Sequence, residues 1–182
     1  MYEQYFTNIY LFRKINNLAG KNETLDSFFI FCSEYLFYLM IIFFVIYFLV
    51  KIYSDGKAEL KEFFIFFTSS ILAYFVTLSI KHSLVAGRPP EELDSVNLLI
   101  KYSIGDAYDT FPSGHTTIAF ALFTSIALYN KALGFVFLII ASLIAFARVY
   151  TGVHYPFDVL AGMLIGMLVT LFFNRFFKKR LM

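Results

Sequence analysis

Residues 27–50 read SFFIFCSEYLFYLMIIFFVIYFLV, with Glu34 as the sole charged side chain. A helix crosses the hydrocarbon core of a bilayer with roughly 20 mostly apolar residues, so this stretch decides the class of fold. Working outward from it, Phe63 to Ile80, Thr116 to Asn130, Ala132 to Ala147 and Val159 to Asn174 carry no charge at all. The shorter of these reach across when polar residues at their ends snorkel to the interface. The composition agrees: 59% of the 182 residues are hydrophobic and 15% charged, against about 45–50% and about 25% in soluble domains. Disorder is excluded by 25 Phe and 13 Tyr, and a net charge of +2 gives no footprint for nucleic acid. Cys32 is the only cysteine and cannot form an internal disulfide.

The expected fold is therefore all-α, a polytopic helical bundle of about five transmembrane helices. Ahead of it, Tyr2, Tyr5, Phe6, Ile9 and Phe12 share one helical arc, while Glu3, Gln4, Thr7 and Asn8 lie opposite and Leu11 and Arg13 spoil the pattern. That reads as an interfacial helix. One domain over 1–182 is expected, with 1–24 as the interfacial amphipathic segment and 25–178 as the bundle, whose site-bearing loop is 81–112. No cleavable signal is visible at the N-terminus, so the first span is expected to serve as the insertion signal.

Sidedness follows from Lys and Arg. Five spans place Lys51, Lys57, Lys61, Lys131, Arg175, Lys178, Lys179 and Arg180 on one side. Arg13, Lys14, Lys21, Lys81, Arg88, Lys101 and Arg148 fall on the other, and three of these belong to the cluster described next. The bias favours a cytoplasmic C-terminus and an external N-terminus. Lys178, Lys179 and Arg180 then anchor the C-terminus at anionic headgroups.

Alternation of the spans places Lys81, His115, Arg148, His154 and Asp158 on one face. Lys81 and Arg88 are seven apart, two helical turns, so a second helix running past the hydrocarbon would point both the same way until Pro89 and Pro90 stop it. Arg offers planar bidentate donors to phosphate oxygens and Lys a point charge. Pro112-Ser113-Gly114-His115 opens the third span, so N–H groups of a helix N-terminus can face the same anion. There Gly114 permits close approach, and Ser113 either caps the helix or gives its hydroxyl to the phosphate. A neutral imidazole can attack phosphorus while a carboxylate on its other nitrogen fixes the tautomer, which suits His154 with Asp158. His115 is placed to protonate the departing oxygen.

These residues resemble the three motifs of the type 2 phosphatidic acid phosphatase superfamily: Lys81-(six residues)-Arg88-Pro89, Pro112-Ser113-Gly114-His115, and Arg148-(five residues)-His154-(three residues)-Asp158. At about one in twenty per residue type, all three arise by chance with a probability on the order of 10⁻⁷ to 10⁻⁶. The resemblance covers roughly residues 63 to 174 and implies a metal-independent, cofactor-free membrane phosphatase acting through a phosphohistidine. In its terms His154 is the nucleophile, Asp158 its orienting partner and His115 the general acid; Lys81, Arg88, Ser113, Gly114 and Arg148 bind phosphate. One departure is visible, because Ala147 stands where the family usually has Ser before Arg148. The implied partners are the bilayer and a membrane lipid phosphate, with no nucleic acid. The implied location is the bacterial inner membrane with the site facing outward.

The substrate stays open among undecaprenyl diphosphate, lipid A 1-phosphate and phosphatidylglycerophosphate. A bacterial branch acting on undecaprenyl diphosphate has a similar short N-terminal stretch before its first long span. Transfer to an acceptor other than water is a rival reaction. A transporter would need its polar pathway to continue through the membrane, yet the inner halves of spans two to five offer only Thr, Ser, Tyr and Asn. Three further readings have two sides. His82 reads as packing beside Lys81 rather than catalysis. Glu34 either faces the site or a basic partner, or sits in the interface. The stretch from Pro90 to Thr110, with Glu91, Glu92, Asp94, Asp106 and Asp109, either forms a short interfacial helix covering the site or carries solvated acids.

Overall fold

The computed structural model describes residues 2–102 and 107–180, without the side chains of residues 2, 4, 57 and 178–180. The expected places of Tyr2 and Gln4 on the amphipathic arc, of Lys57 among the inner cations, of Lys178, Lys179 and Arg180 at headgroups and of Asp106 over the site lie outside the described residues. Eight helices follow in order among the described residues: α1 (Tyr2–Asn16), α2 (Glu23–Glu34), α3 (Leu36–Asp55), α4 (Lys57–Ser83), α5 (Pro89–Glu92), α6 (Gly114–Tyr129), α7 (Lys131–Tyr150) and α8 (Pro156–Arg180).

Four of them, Leu36–Asp55, Ala58–Ser83, Lys131–Tyr150 and Pro156–Phe177, are long and apolar enough to cross a membrane. Helix α6 has 16 residues, about 24 Å, and falls short of a ~30 Å core. It sits at the centre instead, packed on α4, α7 and α8, and its Thr116, Thr117, Thr124 and Ser125 are buried in protein rather than lipid. Glycines on α8 allow this close approach: a Cβ at Gly162 would stand 2.6 Å from the Ser113 carbonyl, and one at Gly166 2.9 Å from Ala121 N. The pair makes a Gly-x-x-x-Gly face of the kind that brings membrane helices together.

The first span is not one helix. The apolar run 27–50 breaks at Tyr35, which closes α2 and opens α3. No Pro or Gly lies there. The Ser33 carbonyl, just before the break, is approached by Arg148 Nη1 at 3.4 Å, and a side chain entering the helical ladder is a recognised cause of such a bend.

Helix α4 ends at Ser83, so Lys81 and Arg88 do not share a continued helix, contrary to the spacing argument. Leu84 is extended, and residues 86–88 run beside 107–110 through Ala86 N to Tyr108 O (3.3 Å), Arg88 N to Ala107 O (2.9 Å) and Thr110 N to Ala86 O (3.3 Å). Pro89 and Pro90 do not stop a helix either; they begin the one-turn α5, since proline's fixed φ suits the first helical positions.

Helix α1 is clamped to the bundle. Phe12 and Asn16 are fully buried, and Asn8 Oδ1 accepts the Phe157 N–H at the start of α8 (3.0 Å). Asn16 exchanges hydrogen bonds with Asn97 and donates to the Tyr150 carbonyl (2.9 Å). The arc of α1 is thus divided, Phe12 packing inward while Tyr5 and Phe6 stay exposed.

Candidate active site

At the end of the bundle where α2, α4, α7 and the start of α6 meet, a cavity of about 750 Å³ opens, within the ~300–1,000 Å³ usual for ligand pockets. Lys81, Arg88, Gly114, His115, Arg148 and His154 all line it, as do Glu34, Lys101 and Asp109. Its rim carries Tyr35, Tyr38 and Tyr74, each exposed on the outer surface of the bundle.

Each cation is held from behind. Lys81 Nζ lies 3.0 Å from Asp109 Oδ1 and donates to the Asp109 carbonyl at 2.5 Å. Arg88 donates to the Val153 carbonyl (3.0 Å), and its guanidinium lies 4.9 Å from the centre of the Tyr102 ring. Arg148 donates to Ser33 Oγ (3.2 Å), while its Nε is buried without a hydrogen-bond partner among the described residues. Ser33 is buried, and its hydroxyl also lies 3.3 Å from Thr151 Oγ1. It supplies a hydroxyl to Arg148 from α2, where Ala147 on α7 has none.

The turn after α7 folds back on Arg148, whose carbonyl accepts from Val153 N (3.2 Å) and His154 N (3.3 Å). Gly152, at φ +86°, makes that reversal, and a Cβ there would meet the Asn97 carbonyl at 2.9 Å. His154 is 2% exposed. Burial first, then the charges of Arg148, Arg88 and Lys81, push its pKa well below the ordinary 6.5, which favours the neutral imidazole.

Asp158 lies behind His154, outside the cavity lining, with Oδ2 3.5 Å from His154 Nδ1. That is longer than a hydrogen bond. Its closer partners are the Tyr155 N–H (2.8 Å) and the Thr110 hydroxyl (2.5 Å), and Thr110 Oγ1 is also 3.1 Å from His154 Nδ1. The Tyr155 contact is the backward reach of a capping box at the start of α8. Sequence reasoning missed Thr110. Its one signal was a hydroxyl residue just ahead of Phe111-Pro112, which has no meaning until the loop folds back onto α8.

His115 stands at the first turn of α6 with its ring 4.5 Å from that of Phe37. First-turn N–H groups have no partner within a helix, and Gly114 and His115 bring that end to the cavity. Ser113 does neither thing expected of its side chain. It makes no side-chain cap, is fully buried away from the cavity lining, and accepts from Thr116 Oγ1 (3.1 Å) while its own N–H holds the Asp158 carbonyl (3.0 Å). Gly114 has room: a Cβ would meet the Tyr74 ring at 3.4 Å, an ordinary contact.

Glu34 lines the cavity rather than the interface alone. His82 is outside it, exposed, with Nδ1 2.7 Å from the Leu78 carbonyl. Beyond α5 the described residues of the 90–110 stretch form no further helix, and their acids are largely tied down. Glu91 accepts from Tyr102 (2.9 Å), Glu92 from Tyr155 (3.1 Å) and Gly87 (3.2 Å), and Asp109 pairs with Lys81. Two carboxylates, Glu34 and Asp109, therefore line the cavity beside its cations.

The PAP2 superfamily profile matches residues 62–182, which include every one of the motif residues. The chain belongs to the PAP2 superfamily. Among relatives of this PAP2 protein, a Bacillus licheniformis protein named bacitracin transport permease protein BcrC is 33% identical over 166 residues, covering 91% of this chain and 78% of that one. A Bacillus subtilis protein named undecaprenyl-diphosphatase BcrC is 29% identical over 177 residues, covering 93% and 83%. The crystal structure of Aquifex aeolicus LpxE superposes with a TM-score of 0.75 at 29% identity, over 93% of this chain and 95% of that one. The protein is an integral-membrane phosphatase of this superfamily.

Proposed function

We propose that this PAP2 protein removes the terminal phosphate of undecaprenyl diphosphate at the outer face of the cytoplasmic membrane, through a phosphohistidine on His154. The observation that carries the reading is the convergence of two histidines and the cations Lys81, Arg88 and Arg148 on one cavity. The cations and the N-terminus of α6 bind the phosphoryl oxygens, and the unpartnered Arg148 Nε supplies one more donor. His154 Nε2 attacks phosphorus, the bond from phosphorus to the bridging oxygen breaks, and His115 gives that oxygen a proton. His115 then takes a proton from water as it attacks, the P–N bond breaks, and inorganic phosphate leaves.

Two features favour a diphosphate: the relative that bears that activity in its name, and a fourth cation, Lys101, on the cavity lining. The lipid tail leaves past the exposed Tyr35, Tyr38 and Tyr74, aromatic residues of the kind that sit at membrane interfaces. The cavity is lined wholly from one end of the bundle, which suits surface hydrolysis rather than passage through the membrane.

Phosphate release by purified protein from undecaprenyl diphosphate, lipid A, phosphatidylglycerophosphate and phosphatidate, in EDTA, tests the reading. The highest kcat/KM is expected on the first. A preference for another lipid replaces the substrate, and phosphate appearing on an added alcohol instead of in solution would make the protein a phosphotransferase.

A further inference from the structure

We propose that Thr110 is the positioning residue that transmits Asp158 to His154, so that the carboxylate governs the imidazole through a hydroxyl rather than by touching it. This rests on the reading of His154 as nucleophile. The direct His154–Asp158 distance is 3.5 Å, whereas Thr110 Oγ1 lies 2.5 Å from Asp158 Oδ2 and 3.1 Å from His154 Nδ1. All three side chains are buried, Thr110 being 2% exposed.

Hydrogen counting gives the direction. Two oxygens 2.5 Å apart need a proton between them, and threonine has one to give. With that proton donated to Asp158, the lone pairs of Thr110 face Nδ1 of His154. Nδ1 must then carry the ring hydrogen, which leaves Nε2 with its lone pair for phosphorus. As the ring gains positive charge during attack, the Nδ1–H bond to Thr110 strengthens and the hydroxyl leans further onto the carboxylate. No proton need leave Thr110.

The fold supplies this hydroxyl from a segment remote from both partners. Thr110 N donates to the Ala86 carbonyl, so the pairing of 107–110 with 86–88 sets Thr110 in place together with Arg88 and Asp109. Thr110 does not line the cavity. A role in binding phosphate is thus separable from a role in orienting the nucleophile.

Thr110→Val keeps the shape and removes the hydroxyl, whereas Thr110→Ser keeps the hydroxyl. Rapid-quench labelling with substrate carrying ³²P in its terminal phosphate is expected to show phosphoenzyme formation slowed by about 10- to 100-fold in the valine variant, by analogy with the loss of an outer partner of a metal-bound histidine. The serine variant should stay near the wild-type rate. Competitive inhibition by inorganic phosphate, which needs the cations but no attack by His154, should be unchanged in both, which also reports a folded site. Because Asp158 acts through Thr110, Thr110→Val and Asp158→Asn should be strongly non-additive in kcat/KM. Thr110→Ala repeats the test should the valine variant not purify as folded protein. Labelling of the valine or alanine variant at the wild-type rate, a serine variant as slow as valine, or effects of Thr110 and Asp158 that simply multiply would each overturn the proposal. If the wild type itself gives no acid-labile label, the phosphohistidine reading falls, and the double-mutant cycle in kcat/KM still decides the part played by Thr110.

Discussion

At the residue scale, two histidines share one cavity but differ in setting. His154 is buried in a turn between Arg148, Thr110 and Asp158, and His115 lies half-buried in the first turn of α6 against Phe37. His154→Ala is expected to abolish turnover and acid-labile labelling together. His115→Ala loses leaving-group protonation, a step that general acid catalysis accelerates by about 10²–10⁴-fold. A lipid analogue with a nitrophenyl phosphate leaving group should therefore rescue the His115 variant in part and leave the His154 variant inactive; the opposite pattern would reverse the roles. The neutral state of His154 also has a pH signature. Its pKa in the fold lies below the ordinary 6.5, so below pH 6.5 the unfolded chain binds a proton that the folded chain refuses. Stability contributed by the neutral ring is present above 6.5 and lost as pH falls. The thermal midpoint of the wild type should drop more steeply between pH 6.5 and about pH 5 than that of His154→Gln; parallel curves would show that folding does not lower the pKa of the ring.

At the element scale, the site depends on how closely α8 lies on α6. Ser113 N holds the Asp158 carbonyl, and Gly162 lies against the Ser113 carbonyl. Gly162→Ala is expected to force these elements apart at the site itself and to reduce kcat beyond its effect on folding. Gly166→Val, a turn deeper against Thr117 and Ala121, should act mainly on stability, by about 1–3 kcal/mol as for other overpacked cores. Thermal melts and kcat on the same two variants separate the cases, and equal losses of both kinds in both variants would contradict the assignment. The elements also show where period and spacing mislead. The seven-residue interval between Lys81 and Arg88 looked helical, yet the two converge because residues 86–88 pair with 107–110. An unbroken apolar run likewise promised one helix over 27–50, and Arg148 reaching Ser33 marks the place where it bends.

For the whole molecule, the remaining question is which way it faces. The joints α3–α4 and α6–α7 and the end of α8 lie opposite the cavity, and with them Lys51, Lys61, Lys131 and Arg175. On the proposed orientation, the bias of basic residues places that end in the cytoplasm. A cysteine at Asp94 should react with an impermeant thiol reagent on intact cells, and one at Ser54 should not; both positions are exposed, and the native Cys32 is buried. Labelling of Ser54→Cys alone would put the cavity inside the cell.

The sequence by itself determined the class of fold and the family. Apolar runs of membrane length admit few structures other than helices, because backbone polar groups in lipid must be satisfied internally, and Lys81, Arg88, His115, Arg148, His154 and Asp158 form motifs whose residue types and spacing are legible in the chain itself. Tertiary structure alone decided what stands behind them. Thr110 between His154 and Asp158, Ser33 under Arg148, Asp109 on Lys81, Asn8 at the start of α8 and Asn16 against Asn97 are ordinary polar residues with no periodic signature. They acquire their roles through hydrogen bonds between segments separated by up to 149 positions, and such bonds are set by where the helices end and how closely they pack.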